Sequence, residues 1–276
     1  MNAPANAIRS AQRYWNAAAE TYEQKFSGTI LGQIRRQIVW DSLEKTFHDG
    51  QRVLELSCGT GIDAVFLARR GVHVVACDVS PRMIELAQSL AAKEGLSVSP
   101  KFCVLATEHL STLRPEMPFD GGFSNFSGLN CVEDLTQVAD DLGGLLKPNA
   151  RLVLCMMGRF VPLEMLWFLA HGQVGKAFHR LLNSRSHYAS TTDLVVTRPT
   201  VSQIEQQMSR TFRLVRWKGI GVVIPPSYAE HVAIRLPRAV GYLAKVDRFI
   251  GALPFFRNMA DCVLLEFERI PGKPLQ

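Results

Sequence analysis

The stretch Val53-Leu54-Glu55-Leu56-Ser57-Cys58-Gly59-Thr60-Gly61-Ile62-Asp63 decides the fold of this chain. An apolar run reaches an acid, a turn with two glycines follows, and a helix then begins, which is the order of a strand, a tight loop and a helix. Glycine tolerates positive φ and lets a ligand approach the bare backbone, while the first turn of the helix presents free N–H groups to the loop. A ligand is therefore expected above this turn, at the carboxyl end of the first strand.

The acid in this stretch narrows the choice of ligand. The spacing Gly59-x-Gly61-x-x-Ala64 also fits the dinucleotide fingerprint, so the glycines by themselves do not decide the ligand. Glu55 stands where the strand meets the loop, and its carboxylate would repel a pyrophosphate but attract a cationic amine or a sulfonium. An acid at a strand tip beside two glycines has little packing reason, which argues against a glycine turn that binds nothing.

The segment Glu55-Leu56-Ser57-Cys58-Gly59-Thr60-Gly61 resembles the acid-x-Gly-x-Gly-x-Gly motif of the class I S-adenosylmethionine-dependent methyltransferases. It departs from that motif only at Ser57, which replaces the first glycine and is small enough for the change to be tolerated. The resemblance implies S-adenosylmethionine as the cofactor. It also implies that Ser57, Cys58, Gly59 and Gly61 contact it.

A second acid ends the next predicted strand, Val72 to Asp78. Asp78 follows Gly61 at roughly the distance expected for the ribose-binding acid of a nucleotide fold. Its carboxylate can accept hydrogen bonds from both ribose hydroxyls, and the resemblance implies the same role. The alternative is an N-cap for the next predicted helix, but Ser80 serves that purpose better because Pro81 follows it directly.

The adenine side of the site is less clearly marked. Val79 and Met83 are expected to pack on the adenine faces. Family members usually carry an acid just after the third strand, and here Ala106 stands in that place, followed by Thr107 and Glu108. Backbone groups or Glu108 are therefore expected to bind the adenine amino group instead.

The N-terminal residues carry a second resemblance. A helix is predicted over 11–26, and Trp15 to Glu23 resembles a segment that precedes the cofactor domain in small-molecule methyltransferases of the ubiquinone and menaquinone type. In that group the segment folds over the cofactor, so Trp15 and Tyr22 are expected to lie near it; Asn16 stands where an acid is usual. The alternative is an amphipathic helix that only covers the sheet edge.

The fourth strand is predicted over Phe119 to Phe126, in a segment that again resembles the family. Asn125 and Phe126 come at its tip, toward which the transferred methyl would point. Ordinary loop polarity is the alternative explanation for Asn125.

The whole chain is predicted to be an α/β protein with a doubly wound, seven-stranded, mostly parallel Rossmann-like sheet. Residues 1–50 are expected to form an N-terminal helical lid and residues 51–157 the cofactor-binding core. Residues 158–200 are expected to form a helical cap insertion. Residues 201–276 are expected to complete the sheet and to carry a second cap insertion at 219–260.

The two insertions are rich in apolar residues, which predicts a cap that encloses an apolar pocket for a lipophilic or aromatic small-molecule acceptor. Six aromatic or histidine side chains of the second insertion could line that pocket, although filling a core between cap helices is the favoured explanation. They are Tyr228, His231, Tyr242, Phe249, Phe255 and Phe256.

The catalytic chemistry needs no metal, because a sulfonium methyl is already activated and the protein mainly positions the acceptor. A general base is optional, and a lone histidine on a cap helix is more often a surface residue than a catalytic one. The candidates are His171, His179, His187 and His231.

Composition limits the partners. The net charge of +6 and pI of about 9.1 come from scattered basic residues, which favours a solvated surface over a nucleic-acid face. No apolar run is long enough for a membrane span. Six cysteines without a C-x-x-C pair indicate a reduced, cytoplasmic protein without a metal site.

Other classes remain open at this point. An RNA or protein methyltransferase is one, although the Asn-Pro-Pro-aromatic tetrad of many nucleic-acid methyltransferases is missing after the fourth strand. A nicotinamide oxidoreductase is disfavoured by Glu55. A module that binds S-adenosylmethionine without turnover is the third. The oligomeric state is left open.

Overall fold

The computed structural model describes residues 3–187 and 193–271. The predicted loose tail at 270–276 lies largely outside these residues, as do the first two residues of the predicted lid and residues 188–192 of the first insertion. Within the described ranges no helix is long and apolar enough to cross a bilayer, and no cluster of side chains is suited to hold a metal ion.

A seven-stranded sheet with the order β3-β2-β1-β4-β5-β9-β8 is the centre of the molecule, as predicted. Its strands are β1 (Arg52–Leu56), β2 (His73–Asp78), β3 (Lys101–Val104), β4 (Phe119–Ser124), β5 (Leu146–Met157), β8 (Phe212–Ile220) and β9 (Cys262–Arg269). Neighbouring strands from β3 through to β5 are parallel, whereas β9 pairs antiparallel with both β5 and β8.

The position of β1 determines where a ligand can bind. Leu54 pairs with Val75 of β2 on one side and with Gly122 of β4 on the other. The chain leaves β1 toward β2 and returns across it to β4, so the strand order reverses there. Such a reversal opens a crevice at the carboxyl ends of the strands, and the glycine loop after β1 lies at that end.

Helices cover both faces of the sheet, so the parallel strands β1, β2 and β4 are largely buried, whereas the edge strand β3 is partly exposed. Side chains of β1 alternate between the two cores: Leu54 and Leu56 belong to one, and Val53 to the other. The flanking helices are α2 (Ile30–Thr46), α3 (Ile62–Ala68), α4 (Pro81–Lys93), α5 (Leu135–Leu145) and α9 (Val201–Met208). An N-terminal helix α1 (Ala3–Tyr22) continues into a π-helical turn (Glu23–Ser27).

The helix starts follow local capping chemistry. The Ser80 hydroxyl accepts a hydrogen bond from Met83 N, and Pro81 occupies the first turn of α4. Thr200 and Gln203 form a reciprocal capping box at the start of α9. These signals are readable in the sequence, and α4 has the predicted bounds.

The segment after β5 forms three short helices, α6 (Pro162–Ala170), α7 (Val174–Ala177) and α8 (His179–Leu182). A two-stranded pair follows, β6 (Arg185–His187) and β7 (Val195–Thr197). This pair was not predicted, because strands of three residues are too short to show an alternating pattern. The segment after β8 contains α10 (Glu230–Arg235) and α11 (Pro237–Ile250). The two segments meet where Trp167 and Phe168 of α6 pack on Tyr228, with ring centroids 6.0 and 5.1 Å apart.

Candidate functional site

A cavity lies at the strand-order reversal, above the glycine loop. With its opening to solvent it encloses about 870 Å³. All the predicted cofactor residues except Gly61 line it: Trp15, Tyr22, Glu55, Ser57, Cys58, Gly59, Asp78, Val79, Met83, Thr107, Glu108, Asn125 and Phe126. The fold therefore brings together residues that are up to about a hundred positions apart in the chain.

The two glycines of the loop have different structural roles. Gly59 has φ +54°, and a Cβ there would meet only the Tyr22 ring, at 3.9 Å, so its backbone is open toward the cavity. Gly61 has φ +76°, and a Cβ there would lie 2.7 Å from Ala87 Cβ of α4 and 3.0 Å from the Phe102 ring. Position 61 therefore needs glycine because the start of α3 packs closely against its neighbours, and not because a ligand approaches it.

Ser57 adopts a conformation that favours glycine. Its φ is +53°, and a non-glycine residue in the left-handed region costs roughly 1–2 kcal/mol. The loop geometry explains why the motif it resembles has glycine there. Gly128 accommodates the serine, because a Cβ on Gly128 would lie 2.3 Å from Ser57 Cβ.

Glu55 is a buried carboxylate with an unused acceptor. Its side chain faces the cavity and is 1% exposed. Its Oε2 has no hydrogen-bond partner among residues 3–187 and 193–271. Burial raises the pKa of Glu55 well above its ordinary value, and the neighbouring Asp63 carboxylate raises it further. A cationic donor in the cavity would pair with the orphan oxygen and would favour the charged form of Glu55.

Asp63, in the first turn of α3, organises the floor beside Glu55. Its Oδ1 accepts hydrogen bonds from the Arg36 guanidinium at 2.6 Å and from the Trp40 indole at 2.7 Å. Its Oδ2 accepts from Asn125 Nδ2 at 2.9 Å. Because the Asn125 amide nitrogen donates in that contact, the orientation of the amide is fixed and its Oδ1 remains as an acceptor. This oxygen is buried and has no hydrogen-bond partner among the described residues. Two orphan oxygens, on Glu55 and Asn125, therefore belong to the wall of one cavity.

Asp78 ties β2 to the glycine loop. One carboxylate oxygen accepts from Gly59 N and the other from Ser80 N, both at 2.9 Å. A carboxylate has about four lone-pair sites, so Asp78 keeps acceptor capacity for a ligand hydroxyl. Burial raises the pKa of Asp78, and the backbone hydrogen bonds partly offset that effect. Ser80, not Asp78, caps α4.

The residues that were expected to contact adenine line the cavity. Val79 and the fully buried Met83 line the cavity, as do Thr107 and Glu108. Ala106, where the family usually has an acid, is not on the cavity wall. Glu108, two residues further along the chain, thus places a carboxylate on the wall.

An aromatic row closes the top of the cavity. The ring centroids of Trp15 and Tyr22 are 6.2 Å apart, those of Tyr22 and Phe26 are 5.9 Å apart, and those of Phe26 and Phe126 are 5.0 Å apart. Phe126 and Ser127 both have positive φ, a strained conformation of the kind that collects at binding sites. The Arg36 guanidinium lies 4.8 Å from the Phe126 ring centre.

Helix α1 is docked over the cavity by polar contacts with the start of α4. Asn16 Oδ1 accepts from the Ser80 hydroxyl at 2.6 Å and from Arg82 N at 3.2 Å. Gln12 Nε2 donates to Val79 O at 3.2 Å. Arg82 also pairs with Glu20 at 2.6 Å. The contacts with Ser80 and Arg82 give Asn16 a neutral acceptor role where the family usually has an acid.

A second cavity adjoins the first and is larger, about 1550 Å³ with its opening to solvent. Trp15, Tyr22, Phe126 and Cys131 line both cavities, so these side chains form the boundary between them. Burial raises the pKa of Cys131 to about 12, although a hydrogen bond with the Trp15 indole opposes that shift. The boundary thiol is therefore neutral near pH 7 and is a poor base or nucleophile.

The far wall of the second cavity carries an ion cluster. Asp261 pairs with Arg180 at 2.9 Å and with Arg35 at 3.3 Å, and Arg180 also pairs with Glu164 at 2.8 Å. Burial would raise the pKa of Asp261, but the two guanidinium groups outweigh it and hold that pKa below its ordinary value. The second cavity is therefore not purely apolar, contrary to the prediction.

The cap also differs from the prediction. Helix α1 and the π-helical turn contribute more residues to the second cavity than the two insertions do: the first insertion contributes Arg180 and Val196, and the second contributes Ser227. Apolar residues of α6 and α8 face outward, including Leu166 and Leu182. The cap helices are too short and too separated to bury both of their faces.

The aromatic residues of the second insertion were expected to fill a core or to line the pocket. Tyr242, Phe249 and Phe255 do neither, because all three are exposed. The candidate bases His171, His179, His187 and His231 are exposed too, and in the described part of the chain no histidine lines either cavity.

Several cavity residues were missed by the sequence reasoning. Arg36 and Asp63 were not chosen, although an acid in the first turn after a glycine loop is a readable signal. Ala7, Ala11 and Cys131 carry no signal in the sequence, because only the docking of α1 places them on the wall.

Comparison with known proteins agrees with this geometry. Residues 53–149 match the family model described as a methyltransferase domain. The chain is 30% identical over 146 residues to the tRNA 5-carboxymethoxyuridine methyltransferase of Escherichia coli (strain K12), covering 51% of this chain and 55% of that protein. It is 34% identical over 117 residues to the ubiquinone biosynthesis O-methyltransferase of Xylella fastidiosa (strain 9a5c), covering 42% of this chain and 46% of that one.

The chain thus spans about half the length of the curated relatives it matches. Among solved structures, an S-adenosylmethionine dependent methyltransferase from Mesorhizobium loti aligns with a TM-score of 0.52 at 16% identity. That alignment covers 84% of this chain and 98% of the other, and it supports the fold alone.

Residues 53–149 therefore match a methyltransferase domain, and the seven-stranded sheet is consistent with the Rossmann-like fold of class I methyltransferases. S-adenosylmethionine is the cofactor of this class, and the residues present fit it. The orphan oxygens of Glu55 and Asn125 suit the donors of its ammonium group. The open backbone at Gly59 leaves room for close approach, and the remaining acceptor capacity of Asp78 suits a ribose hydroxyl.

Proposed function

We propose that this protein is a methyltransferase that transfers the methyl group of S-adenosylmethionine to a lipophilic or aromatic small molecule in the second cavity. The observation that carries the proposal is the shared boundary formed by Trp15, Tyr22, Phe126 and Cys131. A methyl group that leaves the first cavity across this boundary enters the second one directly.

The chain's own residues hold and orient the reactants in this proposal. When bound, the cofactor supplies a methyl group that its positively charged sulfur has already activated. Glu55 and Asn125 accept hydrogen bonds from its ammonium group, and Asp78 accepts them from its ribose. The aromatic row from Trp15 to Phe126 excludes water. Positioning of this kind can account for most of the rate enhancement, because proximity and alignment are worth about 7–11 kcal/mol.

The acceptor class is inferred from the lining of the second cavity. Aromatic side chains from α1 and the π-helical turn face Phe126, Met157 and Val196, and the charged groups on the far wall neutralise one another. A flat aromatic or lipophilic molecule with one polar group fits such a lining. A tRNA methyltransferase is among the relatives, so RNA is the competing acceptor. An RNA site needs unpaired cations along the entrance.

The first test identifies the acceptor class. Methyl-labelled S-adenosylmethionine would be incubated with the protein and a panel of phenols and hydroquinones, and in parallel with total tRNA. Label recovered in the organic extract supports the proposal. Label recovered with precipitated tRNA, in a reaction that weakens steeply with salt, would assign RNA as the acceptor instead.

A matched pair of substitutions on α1 tests the division between the cavities. Ala11 lines the first cavity, and Ala18, two turns later, lines the second. Ala18→Trp should fill the acceptor cavity, reduce turnover at least tenfold and leave cofactor affinity within about threefold. Ala11→Trp should weaken cofactor binding. Calorimetry with S-adenosylhomocysteine and the phenol assay give the two readouts. Full turnover by Ala18→Trp would remove the second cavity from the reaction.

A further inference from the structure

The segment from α10 to the loop after α11 exposes large apolar side chains that nothing in the described chain covers. Leu236 is 57% exposed, Tyr242 68%, Phe249 69% and Phe255 69%. Isolated apolar residues on a surface are ordinary, but a concentration of them marks a docking surface.

Helix α11 places Tyr242 and Phe249 in a single stripe together with two cationic side chains. Arg238, Tyr242, Lys245 and Phe249 are spaced by four, three and four residues and are all exposed, whereas Val240 and Asp247 on the opposite side are buried. Cationic and aromatic side chains therefore alternate along one face. The helix has 14 residues and so is about 21 Å long, which suits a helix lying flat on a surface.

The acids of this segment turn inward. Residues 227–259 contain two, Glu230 and Asp247. The Glu230 carboxylate accepts hydrogen bonds from the backbone N–H groups of Ile30 and Leu31 at the start of α2. The Asp247 carboxylate accepts from the backbone of Gly221 at 2.9 Å and from a second N–H nearby. Neither charge faces the stripe.

The cations of the segment divide into two groups. Arg248 pairs with Asp41, and Arg257 stacks over the Trp217 ring. Arg235, Arg238 and Lys245 make no ion pair with any carboxylate in residues 3–187 and 193–271. These three cationic side chains can therefore interact with solvent or with an external anion.

We infer that residues 234–256, the α11 surface, dock onto an anionic phospholipid bilayer. Aromatic and aliphatic side chains enter the headgroup region while arginine and lysine reach lipid phosphates, the pattern of a helix lying in the interface plane. Charge complementarity favours anionic lipid headgroups as the partner, because the surface carries unpaired cations and its acids are buried or bonded to the backbone. The exposed aliphatic residues Ile234 and Leu236 have no use in RNA binding, which relies on cations and stacking.

The test uses the full chain and vesicles. Co-sedimentation with vesicles of phosphatidylcholine mixed with phosphatidylglycerol should capture the protein, and phosphatidylcholine vesicles alone should capture much less. Binding to the mixed vesicles should fall as salt rises. The double variant Tyr242→Ser/Phe249→Ser should reduce the partition coefficient at least about tenfold, and Arg238→Gln/Lys245→Gln should reduce it on mixed vesicles only.

Matched controls alter the same kinds of residues elsewhere. Val104→Ser/Val215→Ser removes two exposed apolar side chains outside the surface, and Lys45→Gln/Lys93→Gln removes the same charge from other helices. Both should bind vesicles as the wild type does, with unchanged melting temperatures in all four variants.

Three results would overturn the inference. One is wild-type protein that stays in the supernatant with both kinds of vesicle. Another is equal loss of binding in surface and control variants. The third is a lipid-free dimer that Tyr242→Ser/Phe249→Ser converts to monomer, which would make the surface an interface between copies. Vesicle binding requires neither cofactor nor acceptor, so its failure is separable from failure of the proposed function.

Discussion

At the scale of single residues, the site is built from polar groups that have no hydrogen-bond partner within the described chain. Glu55 and Asn125 each keep a buried oxygen without a partner in the described chain. A buried unpaired acceptor is costly, and a strained loop residue such as Ser57 adds to the cost. A ligand with matching donors removes these penalties when it binds, so the geometry of the site contributes to the affinity for the cofactor.

The first prediction concerns Glu55→Gln. Because the folded-state pKa of Glu55 is raised above its ordinary value of 4.5, the native state holds the proton more tightly than the unfolded state. The free energy of unfolding therefore falls as pH rises from about 4.5 through the folded-state pKa. The glutamine variant escapes that loss, so above pH 4.5 it should melt higher than the wild type without cofactor.

The same variant should bind S-adenosylmethionine roughly 10–100-fold more weakly, since a charged hydrogen bond is worth about 1.5–3 kcal/mol. Glu266, another buried strand glutamate, accepts from Arg216 at 2.7 Å and is the control: Glu266→Gln should not gain stability. Thermal melts across pH and calorimetry provide the readouts. A less stable Glu55→Gln with unchanged affinity would show that Glu55 is structural.

At the scale of elements, α1 is the part of the fold that completes the site. It contributes Trp15 and Tyr22 to both cavities, and it is held by side-chain contacts with the start of α4 instead of by the sheet. Elements attached in this way open at low free-energy cost, which suits a lid.

The second prediction concerns opening of this lid. Asn16→Ala removes the acceptor for the Ser80 hydroxyl and for Arg82 N, so trypsin should cut after Lys25 several-fold faster. Adding cofactor should slow that cut in the wild type. Glu20→Ala, which removes an exposed ion pair with Arg82, should have little effect, because such pairs contribute at most about 1 kcal/mol.

Cleavage after Lys93, which is exposed at the end of α4, provides an internal reference for protease activity. Equal cleavage after Lys25 with and without cofactor would show that α1 is a fixed cover.

At the scale of the whole molecule, Asp261 joins three parts of the chain. It precedes β9, and its carboxylate pairs with Arg35 of α2 and Arg180 of α8. The cap, the N-terminal half and the antiparallel edge of the sheet therefore share one largely buried ion cluster at the far wall of the second cavity.

The third prediction concerns Asp261→Asn. Removing one partner of a buried charge cluster should cost up to about 5 kcal/mol. The folded-state pKa of Asp261 lies below its ordinary value of 3.8, so its contribution is complete above that value and is lost as pH falls through the folded-state pKa. The difference in unfolding free energy between wild type and variant should therefore shrink in acid.

Urea unfolding at several pH values measures this difference. Asp134→Asn is the control, because asparagine can also cap α5. A difference that stayed constant down to the lowest pH would rule out the carboxylate charge as its source.

The sequence by itself determined the central architecture and most of the first cavity. Strand ends, glycines and capping residues are local signals, and Glu55, Gly59 and Asp78 all stand at strand ends or turns that short-range patterns mark. Parallel strands then bring those ends to one edge, so the cavity follows from topology without knowledge of any side-chain contact.

Only the tertiary structure decided the rest. That Gly61 serves packing, that α1 lines the second cavity, and that the aromatic residues of α11 are exposed all depend on which segment packs against which. Residues such as Asp63 and Arg36 acquire their roles through contacts 27 positions apart in the chain. Hydrophobicity in a sequence shows that a side chain favours burial, but whether a neighbour covers it is set by the fold.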